Sequence, residues 1–186
     1  VPVLWDKQTH QIVNNESADI IRLFNSAFND ITGNKLDFYP KQFRDEIELM
    51  NDKIYHNVNN GVYKAGFATT QPVYKQAVTE LFKTLDQLEN HLETRDYLVG
   101  NQLTEADWRL FTTLVRFDSV YVGHFKCNLK RIKDYPNLSK YVNRLYHYPG
   151  IQQTVVMEHI KTHYYASHLM INPTGIVPEG PLELFG

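Results

Sequence analysis

The residues best suited to chemistry in this chain are tyrosines. Tyr63 sits in Asn60-Gly61-Val62-Tyr63-Lys64-Ala65-Gly66-Phe67, a stretch flanked by glycines that reads as a connection between two helices. Tyr121 closes a strongly apolar helical run, and Tyr164 lies near the end of the last one. A phenol donates to a developing oxyanion and packs on an aromatic ligand. Ordinary helix packing is the plainer use for each tyrosine taken singly. Glu16-Ser17 falls where a strand gives way to a helix. Free N–H groups and the positive dipole end suit a ligand carboxylate there, and plain capping is the alternative. Val1-Pro2 leads a strand, either as an edge proline or as a cis-proline that fixes the backbone for a ligand. Cys127 lies in His124-Phe125-Lys126-Cys127-Asn128; the neighbouring cations would lower a thiol pKa, but no CxxC and no helix start accompany it. It reads as a structural cysteine. His159 and His163 have metal-pair spacing, with His168 beyond, yet no acidic residue completes an HExxH. They read as surface or pocket-edge histidines, and no metal is expected. There is no Gly-rich phosphate loop and no GxSxG.

Two kinds of element must position these residues. Val1–Trp5 and Gln11–Val13 are short apolar runs around the polar turn Asp6–His10, which predicts a β-hairpin. One hairpin alone is marginal in water. Asn14-Asn15-Glu16-Ser17 offers N-cap chemistry, and Ile20, Ile21, Leu23, Phe24, Ala27 and Phe28 make the next helix apolar over a broad arc. This unit reads as the closing part of a sheet whose earlier strands lie outside the chain. Residues 31–39 are a linker with a Gly33-Asn34 turn. From Pro40 onward the pattern is helix after helix. Phe43, Ile47, Met50, Ile54 and Val58 form one stripe, expected to end at Asn59-Asn60-Gly61. Pro72 opens the second helix, and Leu103-Thr104-Glu105-Ala106-Asp107 starts the third with a capping box. Pro136 opens the fourth, and residues 150–167 are expected as the fifth. The tail from Ile171 is irregular. The domain reading is therefore 1–30 as an α/β remnant, 31–39 linker, 40–170 all-helical domain and 171–186 tail.

Bulk properties narrow the class. At 42% hydrophobic, the 186 residues can bury a core. The balance of 19 basic against 21 acidic residues argues against nucleic acid as a partner. No run approaches the about 18 apolar residues of a membrane span. A single cysteine excludes an internal disulfide framework and fits a reducing compartment, so a cytoplasmic location is expected.

The segments VPVLWDK, VNNESADIIRLFN, NNGVYKAGFA, LTEADWRLFTTLVRFDSVYVGHFKCN, YPNLSKYVNRLY, HIKTHYYASH and INPTGI resemble the glutathionyl-hydroquinone reductases, the Xi class of glutathione transferases. They run through essentially the whole chain. The resemblance implies a mostly α fold: the all-helical C-terminal transferase domain, preceded by the final β-hairpin and helix of a thioredoxin-like domain. It implies glutathione as co-substrate and a glutathionyl-hydroquinone as substrate. In such enzymes a cysteine of a CPWA-type motif attacks the thioether sulphur, the hydroquinone leaves, and a second glutathione resolves the mixed disulfide. Carried over by motif, Pro2 is the cis-proline and Val1 pairs through its backbone with glutathione. Glu16 and Ser17 hold the γ-glutamyl end, and Tyr63, Tyr121 and Tyr164 surround the hydroquinone. Cys127 matches a position that is not the nucleophile. No CPWA stretch occurs in the chain, so the 186 residues are expected to be inactive by themselves. A homodimer through the helical domain is implied. The competing reading is a non-catalytic transferase-like interaction module, which would have no need of the tyrosines.

Overall fold

Asp6 turns the chain. Its Oδ1 accepts from the Gln8 and Thr9 amides at 2.7 and 3.2 Å, closing the polar run on itself. Strand β1 (Leu4–Asp6) therefore returns antiparallel as β2 (Gln11–Asn14), as the two apolar runs around a polar turn predict. The computed structural model describes residues 2–181. Val1, with the Val1–Pro2 peptide bond, and residues 182–186 lie outside the described residues. Asn14 Oδ1 then accepts from Glu16 N at 2.7 Å, and α1 (Ser17–Ser26) begins with Glu16 as its N-cap residue. Of the apolar arc on and after α1, Ile20 is buried, while Ile21, Phe24 and Phe28 are exposed. Val3, Trp5 and Ile12 of the hairpin region are exposed too. Among the described residues this sheet has two strands, so its apolar surface has few neighbours to pack against.

Arg22 fastens this piece to the helices through two ion pairs, one with Glu48 at 2.5 Å and one with Glu105. Arg22 of α1 reaches both oxygens of Glu105, through Nε and Nη2, at 3.1 Å each. Glu105 is buried. It also accepts from Asn51 Nδ2 at 3.0 Å and meets Arg109 Nη2 at 2.8 Å. The Arg22 guanidinium lies 4.2 Å from the centre of the Tyr39 ring. The short helix α2 (Asn29–Thr32), not expected from the sequence, ends at Gly33, whose left-handed φ of +67° lies at the Gly33-Asn34 turn signal.

The stripe from Phe43 does not stop where the sequence suggests. A 3₁₀ turn (Lys41–Phe43), α3 (Arg44–Ile54), a π-helical turn (Tyr55–Asn59) and α4 (Asn60–Gly66) follow without interruption. Asn59 is not a turn former here. Its Nδ2 donates to Arg109 O at 3.0 Å and Thr113 Oγ1 at 2.6 Å, so tertiary bonding overrides the Asn-Asn-Gly turn propensity. The consequence is that Tyr63 stands on a helix rather than in a connection.

Helix α5 (Gln71–His91) carries Pro72 in its first turn and buries Val78, Leu81, Leu85 and Leu88. Helix α6 (Glu105–Arg116) runs into a second π turn (Phe117–Tyr121) and packs against α3 and α7 (Pro136–Tyr146). Its start follows the capping pattern. Buried Asp107 accepts from Thr104 N at 2.8 Å, Thr104 Oγ1 at 3.0 Å, Leu98 N at 2.9 Å and the Tyr141 hydroxyl at 2.9 Å. Helix α8 (Met157–Ser167) is shorter than the expected 150–167. Gly150 has φ +87°, outside helical space, and a 3₁₀ turn (Gln152–Thr154) intervenes.

Gly66 has a specific duty. A Cβ there would lie 2.2 Å from Cγ of Phe125, a ring at 0% exposure. Gly66→Ala must push Phe125 out of place, at a cost of about 1–3 kcal/mol or more for overpacking. A urea denaturation midpoint equal to that of the unsubstituted chain would contradict this packing.

Candidate functional site

The three tyrosines singled out by the sequence converge. Tyr63 comes from α4, Tyr121 from the end of the second π turn, and Tyr164 from α8. The Tyr164 hydroxyl is the centre, 2.5 Å from that of Tyr63 and 2.9 Å from that of Tyr121. Exposure falls from 38% at Tyr63 to 6% at Tyr164 and 2% at Tyr121, so the chain of hydroxyls leads from solvent inward. Each phenol has one proton to donate. Two contacts among three hydroxyls consume two protons and leave one O–H to offer to a ligand oxygen. Burial, then the contact with Tyr164, pushes the Tyr63 phenol up to about 12. Burial raises Tyr121 further still. Both therefore stay protonated donors across the neutral range.

Phe125 is the floor of the cluster. Its ring centre lies 5.2 Å from Tyr63, 5.5 Å from Tyr121 and 5.9 Å from Tyr164. Phe67, one turn after Tyr63, holds its ring nearly parallel to that tyrosine and 40% exposed, extending the open aromatic wall. Two histidines complete the surround. His124 Nε2 lies 3.2 Å from His168 Nδ1, and His168 is edge-on to Phe67 and Tyr164. Burial lowers the pKa of both. Sequence reading passed over Phe67, Phe125 and the His124–His168 pair. His168 stands one helical turn after Tyr164, which is the signal that could have found it.

The other candidates are placed as follows. Glu16 and Ser17 are exposed at the start of α1, with no side chain capping its first N–H groups. Pro2 is exposed, and Val1 is outside the described residues. Among the described residues, no group of three or more His, Cys, Asp and Glu is placed to hold a metal, so the His159–His163 spacing has no completing ligand there. An open groove of about 510 Å³ between Phe43, Arg95 and Gln102 includes none of the tyrosines.

Cys127 is an inert thiol. It is at 0% exposure, with Sγ against the Val62 and Phe125 carbonyls, and burial pushes its pKa up to about 12. In the folded chain it should react with an aromatic disulfide reagent only as fast as the protein unfolds. Stoichiometric labelling at neutral pH within seconds, without denaturant, would refute this placement.

Helices stacked around α6, behind a hairpin and one helix of another layer, are the arrangement of a glutathione transferase, and comparison with known proteins agrees. The glutathione S-transferase C-terminal domain pattern matches residues 71–144. The solved structures the chain is similar to include Xi-class glutathione transferases. The crystal structure of glutathione S-transferase Xi from Phanerochaete chrysosporium superposes with a TM-score of 0.97 at 57% identity, covering 100% of this chain and 64% of that one. The glutathione-bound structure of YqjG, a transferase homologue from Escherichia coli K-12, gives 0.96 at 55% identity, covering 98% and 59%. Glutathionyl-hydroquinone reductase PcpF of Sphingobium chlorophenolicum is 56% identical over 183 residues, covering 98% of this chain and 58% of that protein. The chain thus spans somewhat over half the length of the curated relatives it matches. Among the described residues, no helix is long and apolar enough to cross a membrane.

Proposed function

We propose that this chain holds the hydroquinone, and part of the glutathione, in an enzyme that reduces glutathionyl-hydroquinones to hydroquinones. The observation that carries the reading is the line of three phenol hydroxyls with one proton to spare. Names among the relatives point the same way. In the reaction a cysteine thiolate attacks the sulphur that joins glutathione to the ring. The sulphur–carbon bond breaks, its electron pair passes to the ring system, and the ring carbon gains a proton. A mixed disulfide between cysteine and glutathione remains, and a second glutathione thiolate releases it as glutathione disulfide.

The roles are those that the resemblance implies. Tyr164, flanked by Tyr63 and Tyr121, donates to the ring oxygen on which negative charge gathers. Glu16 and Ser17 take the γ-glutamyl amine and carboxylate. The open start of α1 suits the latter. The Val1 backbone and Pro2 take the peptide part. Cys127 is buried and protonated, so the nucleophile is supplied from outside these 186 residues, and the location is a reducing cytoplasm. No metal takes part.

In the protein expressed from its complete reading frame, Tyr164→Phe should lower kcat about 10²-fold with glutathionyl-hydroquinone and leave KM within a few fold. The 186-residue chain alone should show no turnover. Unchanged kcat in the variant, or turnover by the isolated chain, would overturn the assignment of roles. We also propose a homodimer through the helical domain. Light scattering at micromolar concentration should return twice the chain mass of 21.8 kDa, and a monomer value would contradict it.

A further inference from the structure

Attack on sulphur raises a difficulty that the tyrosines do not solve. If the carbon–sulphur pair were left on an aromatic carbon, the leaving group would be an aryl carbanion, which is far too basic to depart. The difficulty vanishes if the hydroxyl neighbouring the sulphur-bearing carbon first gives up its proton and that carbon gains one. The ring is then a dienone. Attack at sulphur sends the pair through the ring into the carbonyl oxygen and restores aromaticity. This order of events requires a base beside the hydroxyl. Tyr63, with its pKa pushed up to about 12, is a donor and not that base.

The histidine pair is built for the task. His124 is 4% exposed, its ring packed between Phe125 at 5.2 Å and Tyr165 at 4.6 Å. Its Nε2 engages Nδ1 of His168 at 3.2 Å. The His168 carbonyl accepts from the Ile171 and Asn172 amides at 2.9 and 3.0 Å, which fixes the end of α8. Asn172 in turn donates Nδ2 to Tyr165 O and Ile176 O at 2.8 and 2.9 Å, clasping the tail onto the helix. His168 Nδ1 is therefore committed, and Nε2, on the far side of the ring, has no hydrogen-bond partner among the described residues. The ring sits 5.7 Å from Tyr164 and 5.3 Å from the exposed Phe67.

Resting on the function proposed above, we infer that His168 is a general base of that reaction and His124 its positioning residue. Nε2 takes the hydroxyl proton of the bound hydroquinone, breaking O–H and forming N–H. It then hands that proton to the adjacent sulphur-bearing carbon, breaking N–H and forming C–H, and the imidazole is restored. The cysteine thiolate next forms the S–S bond as the C–S bond breaks. The electron pair reaches the oxygen held by Tyr164, and solvent protonates the phenolate. The titratable and charged groups facing the pair are His163, Tyr164 and Tyr165 on α8, and Lys126 beside His124 on the loop after the second π turn. All are cationic or neutral and oppose a resting imidazolium. Burial, then His163, lowers the His168 pKa from its ordinary 6.5. The base is thus neutral at pH 7, and the rate should fall only as pH drops through that lowered value.

The test uses the protein from its complete reading frame, with glutathionyl-hydroquinone and glutathione, across pH 5–9. His168→Gln should lower kcat about 10²-fold or more, with KM within a few fold, and the acidic limb of the kcat profile should vanish. Added imidazole should restore part of the rate of His168→Ala, a response that a merely misfolded variant does not give. A kcat within threefold in His168→Gln, an acidic limb that persists, or no rescue of His168→Ala overturns the inference. Absence of turnover in the unsubstituted protein overturns the proposed function and this inference together. Turnover that is indifferent to His168 overturns this inference alone.

Discussion

The buried carboxylate of Asp107 is the constraint on which the rest of this structure depends. It accepts from two backbone amides and two hydroxyls, and those four donors come from three parts of the chain: the loop at Leu98, the turn at Thr104 and helix α7. Desolvation raises its pKa, and the hydrogen bonds oppose that rise. A buried carboxylate is tolerable only when its oxygens are satisfied. The start of α6 therefore cannot shift without leaving several polar groups unpaired in the core. Two residues earlier, Glu105 does the same for α1 and α3 through Arg22 and Asn51. One helical turn thus joins the α/β piece to the helical domain and sets the direction in which α6 runs.

That direction decides the site. Helix α6 ends in the second π turn, which brings Tyr121 against Tyr164, and the first π turn sets the phase of α4 and so of Tyr63. The extra residue in each π turn rotates everything after it, and such turns recur at functional sites. Asn59 ties the first π turn to α6 through Arg109 and Thr113, so the two elements that carry Tyr63 and Tyr121 are braced against one another. Phe125, admitted by the missing side chain of Gly66, fills the space beneath all three phenols.

In the proposed reaction the hydroxyl line and the histidine pair would divide two tasks that one residue type could not share. Donors must stay protonated while charge gathers on oxygen, and burial of Tyr63 and Tyr121 ensures that by pushing their pKa values up. A group that moves protons at neutral pH must be free to change state, and burial pushes His168 in the direction that leaves it neutral. The same desolvation acts with opposite consequences because one charged form is an anion and the other a cation.

Much was legible from the residues alone. The hairpin, the first helix, the capping box at Thr104–Asp107, and the helices opened by Pro72 and Pro136 follow from short-range chemistry. Turn residues, caps and apolar spacing act within a few positions of themselves. The tyrosines could be named through resemblance, but nothing in their spacing, 63 to 121 to 164, says that their hydroxyls meet. Only tertiary packing decided that Asn59-Asn60-Gly61 continues a helix, because the amide of Asn59 finds partners on α6 that the local sequence does not reveal. It also decided that His124 and His168, 44 positions apart, share a hydrogen bond. Local propensity is settled by neighbours in the chain. A site is settled by neighbours in space, and these become neighbours only once the buried carboxylates of α6 have fixed how the helices cross.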